Sequence, residues 1–284
     1  MRQKKQKHTN HIFSAFAIAM SLSTGAWAQI HTPELPANKN LVLAQEQFYQ
    51  GHFALALQSA EAYEQQHPQN TSAKETDLIN KASFFSAVSA LKLNLAGCED
   101  TAIATINTTS NPAYKQRTAF ALAQYYFHHN RLTSAIPYYE MANYANLSNR
   151  EIADSRFELA YCYFNSMQFD KAEPMFASIK ELEGKYHTAG NYYYGLLAFN
   201  KNNYQEALSS FERIKNQPEY SKIVPYYIAE IYYFTGERQK ALNEALALIG
   251  GAEKSFYHNE LHLLAAQVLF EEERYGDALP YFEH

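Results

Sequence analysis

The chain has 284 residues, 47% of them hydrophobic and 15% aromatic, with 23 Tyr and 18 Phe. Its formal net charge of −5 argues against a nucleic-acid reader, whose affinity comes from phosphate neutralisation, and against a polybasic membrane-surface mode. Two cysteines exclude a disulfide scaffold, and ten Gly with nine Pro lean away from turn-rich sheet folds.

Residues 1–28 read as a signal peptide. Arg2, Lys4, Lys5 and Lys7 form a basic start, and Ile12 to Thr24 is an apolar run too short to span a bilayer. Ala26-Trp27-Ala28 supplies the small-x-small cleavage signal. The first cysteine is Cys98, so a lipid anchor at the cleavage site is not expected. Cleavage removes four cations and leaves 20 Lys/Arg against 29 Asp/Glu. Residues 29–36 form a linker, in which Pro33 and Pro36 suit an extended segment.

From residue 37 onward the chain repeats. The stretch Tyr192 to Phe211 reads as two short amphipathic helices broken at Asn202-Asn203, and neither can bury its apolar stripe alone. Alignment on Ala207 finds Ala56, Ala102, Ala135, Ala172, Ala241 and Ala278, at successive intervals of 46, 33, 37, 35, 34 and 37 residues. Twelve residues before each lies a second small residue: Ala44, Ala90, Ala123, Ala160, Gly195, Ala229 and Ala266. A small residue on each helix lets the pair close to the short end of the usual ~8–10 Å separation. Ile106, Tyr139, Phe176, Phe211 and Phe282 lie four residues past the second Ala and are expected to fill the next interface, with Ala60 and Ala245 as exceptions.

Turns are expected five residues before the second Ala, at Gly51, Gly97, Asn130, Asn202 and Gly236; Met167 and Glu273 occupy that place without turn chemistry. Pro137, Pro174 and Pro280 are compatible with a helix only in its first turn, which predicts second helices starting near Leu132, Phe169 and Tyr275. The long first interval predicts about twelve extra loop residues within Gln65 to Asp77.

The period and the small, small, aromatic register resemble the tetratricopeptide repeat, a 34-residue helix–turn–helix unit. The resemblance covers nearly all of residues 37–284. Pro68 matches the family's closing proline, while the family's Trp is absent. It implies an all-α, right-handed helical-hairpin solenoid of about seven repeats, the last incomplete at His284. A solenoid needs a capped end, so the expectation is that this chain is the N-terminal part of a longer protein.

No phosphate loop, nucleophile elbow or paired-cysteine metal site is present, so no catalytic, cofactor or metal residues are expected. His258 and His262 share a helical face but lack the zincin order, and read as a surface pair. Cys98 and Cys162, two repeats apart, are expected as free thiols.

The aromatics are the candidate functional feature. Four residues after each first-helix small residue come Phe48, Asn94, Phe127, Phe164, Phe199, Tyr233 and Phe270. Seven before these, on the same helical face, lie Leu41, Ala87, Phe120, Phe157, Tyr192, Tyr226 and Leu263. The resemblance implies that this face lines a concave partner groove. The protein-binding candidates are Phe120, Phe127, Phe157, Phe164, Tyr192, Phe199, Tyr226, Tyr233 and Phe270. Packing of neighbouring first helices on one another is the alternative, and the two are compatible. The family's carboxylate-holding Lys and Asn pairs are missing; Leu91, Gln124, Tyr161, Leu196 and Glu230 stand in their places.

These features together predict a non-enzymatic interaction scaffold, exported to the bacterial periplasm or cell envelope, binding a protein or extended peptide. No nucleic acid, no small-molecule cofactor and no membrane insertion of the mature segment are expected. Two alternatives place further function beyond His284: a sensor ectodomain, or a solenoid positioning substrate for an enzyme.

Overall fold

Seven times among the described residues, a helix ends on a left-handed residue and the chain turns back into a second helix. The computed structural model describes residues 38–67, 72–251 and 255–283; the expected signal peptide and linker, and Pro68, lie outside them. Fourteen helices and no strand occur there. They fall into two compact units, residues 38–213 and 214–283.

The first unit contains five hairpins: α1 (Lys39–Tyr49) with α2 (Phe53–Gln66), α3 (Ala73–Lys92) with α4 (Cys98–Thr108), α5 (Pro112–His128) with α6 (Leu132–Ala142), α7 (Asn149–Asn165) with α8 (Phe169–Lys180), and α9 (His187–Asn200) with α10 (Tyr204–Glu212). Each helix packs on its chain neighbour, and α1, α3, α5 and α7 also touch in succession. The second unit contains α11 (Val224–Phe234) with α12 (Arg238–Ile249) and α13 (His258–Glu271) with α14 (Tyr275–Phe282). Here α11 also contacts α13.

All seven register alanines of the second helices are at most 1% exposed. The interface-filling residues Ile106, Tyr139, Phe176 and Phe211 are buried as expected, whereas Phe282 is half exposed. Second helices start at Leu132, Phe169 and Tyr275, as predicted. The prolines themselves, however, do not sit in a first turn. Pro137, Pro174 and Pro280 are each the sixth residue of their helix, beyond the first turn. All three lie on the exposed side, where water can take over the carbonyl each Pro leaves without an intrahelical donor.

The turns share one geometry. Gly51, Asn130, Met167, Asn202, Gly236 and Glu273 all have φ between 57° and 82°. In each, the left-handed residue's N–H donates to the carbonyl three residues back and the next N–H to the carbonyl five back, as in Met167 to Phe164 (3.1 Å) and Gln168 to Tyr163 (2.9 Å). Met167 and Glu273 thus make the same turn without its usual residue types, because closure of the packed hairpin outweighs the local cost of a left-handed side chain.

The second repeat differs. Its left-handed residue in this motif is Asn94, which donates to Leu91 at 3.1 Å while Leu95 donates to Ala90 at 3.1 Å. Three residues, Leu95, Ala96 and Gly97, then precede α4, against one in each of the other turns. The small residue of the first helix is therefore Ala87, fully buried, and not Ala90. The remaining extra length lies in long helices: α2 has 14 residues and α3 has 20. Residues 73–77, expected as loop, are helix, entered through Ser72, whose N–H donates to Glu75 Oε2 at 3.1 Å.

Candidate binding face

With Ala87 in register, the position three residues before each small residue reads Leu41, Phe84, Phe120, Phe157, Tyr192, Tyr226 and Leu263. The four-after position gains Leu91 and loses Asn94. The first set is buried, apart from the exposed Leu263.

What covers part of this set is an aromatic from the next repeat. Phe84 stacks on Tyr114 (centroids 5.5 Å apart), Phe157 on Tyr186 (4.3 Å) and Tyr226 on Tyr257 (4.3 Å). Each covering Tyr lies nine residues before its own repeat's small residue, at or near the start of the first helix. Offset stacks of this kind add to plain area burial. Among the groove candidates, Phe120, Phe127, Phe157, Tyr192 and Tyr226 are buried, and Phe127, Phe157 and Tyr226 meet rings of the next repeat.

The four-after candidates are more open. Phe164, Phe199 and Tyr233 are half-buried, and Phe270 is 54% exposed. Phe164, Phe199 and Phe270 meet the first residue of the following helix edge-on: Phe169 at 5.6 Å, Tyr204 at 5.9 Å and Tyr275 at 5.1 Å. Phe48 and Phe53 repeat the contact at 5.6 Å. One edge of each ring braces its turn while another part stays solvent-accessible. Tyr233 is held differently, its hydroxyl donating to Glu271 Oε1 at 2.5 Å.

A polar cluster that the aromatic pattern did not reveal adjoins the Phe157–Tyr186 stack. Glu158 is only 4% exposed. Its Oε2 accepts from the Tyr139 hydroxyl at 2.5 Å and from Gln124 Nε2 at 3.4 Å. Burial raises its pKa to about 7; the Tyr139 hydrogen bond opposes that and Asp154 adds to it. Asp154 Oδ1 also accepts from Tyr186 Oη (2.5 Å) and Lys185 Nζ (3.2 Å), and that ammonium lies 4.5 Å from the Tyr186 ring centroid. Burial, reinforced by Asp154, pushes the Tyr186 hydroxyl far above the ordinary tyrosine range.

His262 is buried, its ring 4.7 Å from His258 and 5.7 Å from Tyr281, which corrects the expectation of a surface pair. Cys98 and Cys162 are free and buried. Cys98 opens α4 rather than lying in the turn. Among the described residues no group of three His, Cys, Asp or Glu could hold a metal ion. No helix among them is long and apolar enough to cross a membrane.

No protein-family model matches the sequence, and no curated protein matches it. Solved structures do. The apo form of RapI has 17% identity and a TM-score of 0.51, over 87% of this chain and 74% of its own. A tetratricopeptide repeat protein from Parabacteroides merdae has 15% identity and a TM-score of 0.46, over 87% and 91%. The apo form of the quorum sensor NprR from B. thuringiensis has 12% identity and a TM-score of 0.45, over 99% and 92%. The fold is tetratricopeptide-like: all-α, built from helical hairpins in series.

Proposed function

We propose that this chain is a non-enzymatic protein–protein interaction scaffold, exported to the bacterial periplasm or cell envelope, which holds a protein or extended peptide against the aromatic face of its first helices. The observation that carries the reading is the recurrence of a partly open aromatic at one register position, in Phe164, Phe199, Tyr233 and Phe270, on hairpins otherwise closed by small residues. Rings with one face packed and another accessible are pre-ordered anchors, and such aromatics dominate interface energetics. The export half rests on the basic start, apolar run and Ala-x-Ala site of residues 1–28.

The test is selection of peptides from a random displayed library on the chain from Gln29 to His284. Their affinities are then measured for Phe164→Ser and Phe199→Ser. Loss of binding with helicity retained supports the reading. Unfolding of both variants would assign these rings to the core, and unchanged affinity would place binding elsewhere. Separately, detection of the uncleaved chain in the bacterial cytosol would overturn export.

A further inference from the structure

On α3, Lys81, Phe84, Val88 and Lys92 follow one another at spacings of three, four and four residues, and so share one helical face. Arg117, Phe120, Gln124 and His128 repeat that spacing on α5. The two helices pack side by side. Counted from Ala87 and Ala123, Lys81 is level with Arg117 and Lys92 with His128. Phe84, one turn from Lys81, ties the faces together: it stacks on Tyr114 of α5, and the Arg117 guanidinium carbon is 5.7 Å from its ring centroid. Neither face carries an acid, since α5 has none and α3 has none after Asp77. In a chain with 29 Asp/Glu against 24 Lys/Arg, this is a local reversal of charge.

The acids of α3 and α7 are already engaged. Glu75 closes the capping box on Ser72, and Asp77 Oδ1 accepts from Asn111 Nδ2 at 2.6 Å. Glu151 accepts from Ser148 and lies 3.6 Å from Arg117. Asp154 is taken by Lys185 and Tyr186, and Glu158 by Tyr139 and Gln124. Among the described residues, Lys81 and Lys92 have no hydrogen bond or ion pair. Lys92 and His128 are both solvent-accessible, yet burial lowers the pKa of each. At Lys92 the charges of Glu158, Glu151 and Asp154 oppose that without contact; at His128 the charges of Lys92 and Lys185 add to it. Access to water combined with desolvation by the surrounding protein describes a recess open on one side. A cation held there without a contact anion gains by meeting one.

We propose that Lys81, Lys92 and Arg117, across the paired faces of α3 and α5, hold the aspartate or glutamate side chains of an acidic segment in a partner peptide. The inference rests on the scaffold reading and names the chemistry of its partner. Charge complementarity selects the occupant: the face offers cations alone, and the neighbouring carboxylates are committed to other side chains.

The probe is a labelled peptide of four Glu-Leu-Ser units, blocked at both ends so that no terminal carboxylate contributes. It is compared with its Gln-Leu-Ser counterpart by fluorescence anisotropy on the Gln29–His284 chain at low ionic strength, where partly exposed pairs are least screened. The glutamate peptide is expected to bind about tenfold more tightly. Lys81→Gln with Lys92→Gln is expected to abolish that preference, and Lys81→Arg with Lys92→Arg to keep it. Lys39→Gln with Lys74→Gln, the same charge change at exposed positions off these faces, is also expected to keep it. Equal loss in the two glutamine double variants would reduce the effect to net charge and overturn the subsite. A preference surviving Lys81→Gln with Lys92→Gln would overturn it as well. Equal binding of the two peptides would overturn the subsite and leave the scaffold reading standing. Failure of both peptides to bind would overturn the subsite, while the scaffold reading is decided by the library selection.

Discussion

A Cβ placed on Gly195 would stand 2.6 Å from Cε1 of Phe211, closer than any real contact of that kind. Gly195 on α9 and Phe211 on α10 therefore specify each other: the ring fills the space that six other repeats give to an alanine methyl. Gly195→Ala is expected to destabilise the chain by about 1–3 kcal/mol through overpacking. Adding Phe211→Leu is expected to recover part of that loss. Urea unfolding of the single and double variants checks both, and additive losses would show that the two residues do not share this space.

Met167 has φ of 60° and is 69% exposed, so it bears the cost of a left-handed side chain while burying little area. Met167→Gly is expected to stabilise the chain by about 1 kcal/mol, by relieving Cβ strain at a turn whose hydrogen bonds are already in place. The denaturation midpoint is the readout. A lowered midpoint would mean that the extra backbone freedom of Gly outweighs the strain.

These two sites mark what was legible in the sequence. The small-residue register was legible because close helix approach permits only small side chains at the contact, and the choice is written into residue identity. The turn at Met167 was not, because local chemistry there is overruled by packing between helices. The assignment of Ala90 failed because Leu95, Ala96 and Gly97 lengthen one turn. Moving the register back three residues would have placed Phe84 among the aromatics, and that was the available signal. The stacks on Tyr114, Tyr186 and Tyr257 were missed because their partners lie 29–31 residues away, in the next repeat. Glu158 gave no signal, since its burial depends on Tyr139 and Gln124 from two other helices.

Glu158 makes stability depend on pH with a definite sign. Its folded pKa, raised to about 7 from an ordinary 4.5, means that the folded chain holds this proton more tightly than the unfolded chain. Stability is therefore expected to fall as pH rises from about 4.5 to 7, by an amount on the order of 3 kcal/mol if this group acted alone. Glu158→Gln, a neutral near-isostere, is expected to flatten that segment of the profile. Urea unfolding at half-unit pH steps checks it, and identical slopes for the two proteins would show that Glu158 is not the group responsible.

The stack of Phe157 on Tyr186 is assigned to packing between repeats. Phe157→Ala is expected to cost about 3–5 kcal/mol, as for other buried aromatics. The partly open Phe199 is expected to cost far less when replaced by Ser. Thermal unfolding of both variants separates the two roles, and similar losses would place both rings in the core.

The central claim is that the open aromatic position of the first helices holds a partner, and the most direct measurement is titration of a library-selected peptide into the native chain and into Phe199→Ser. An affinity loss of at least about tenfold is expected, with far-ultraviolet circular dichroism unchanged. Equal affinity in the two proteins, with the variant fully folded, would contradict it.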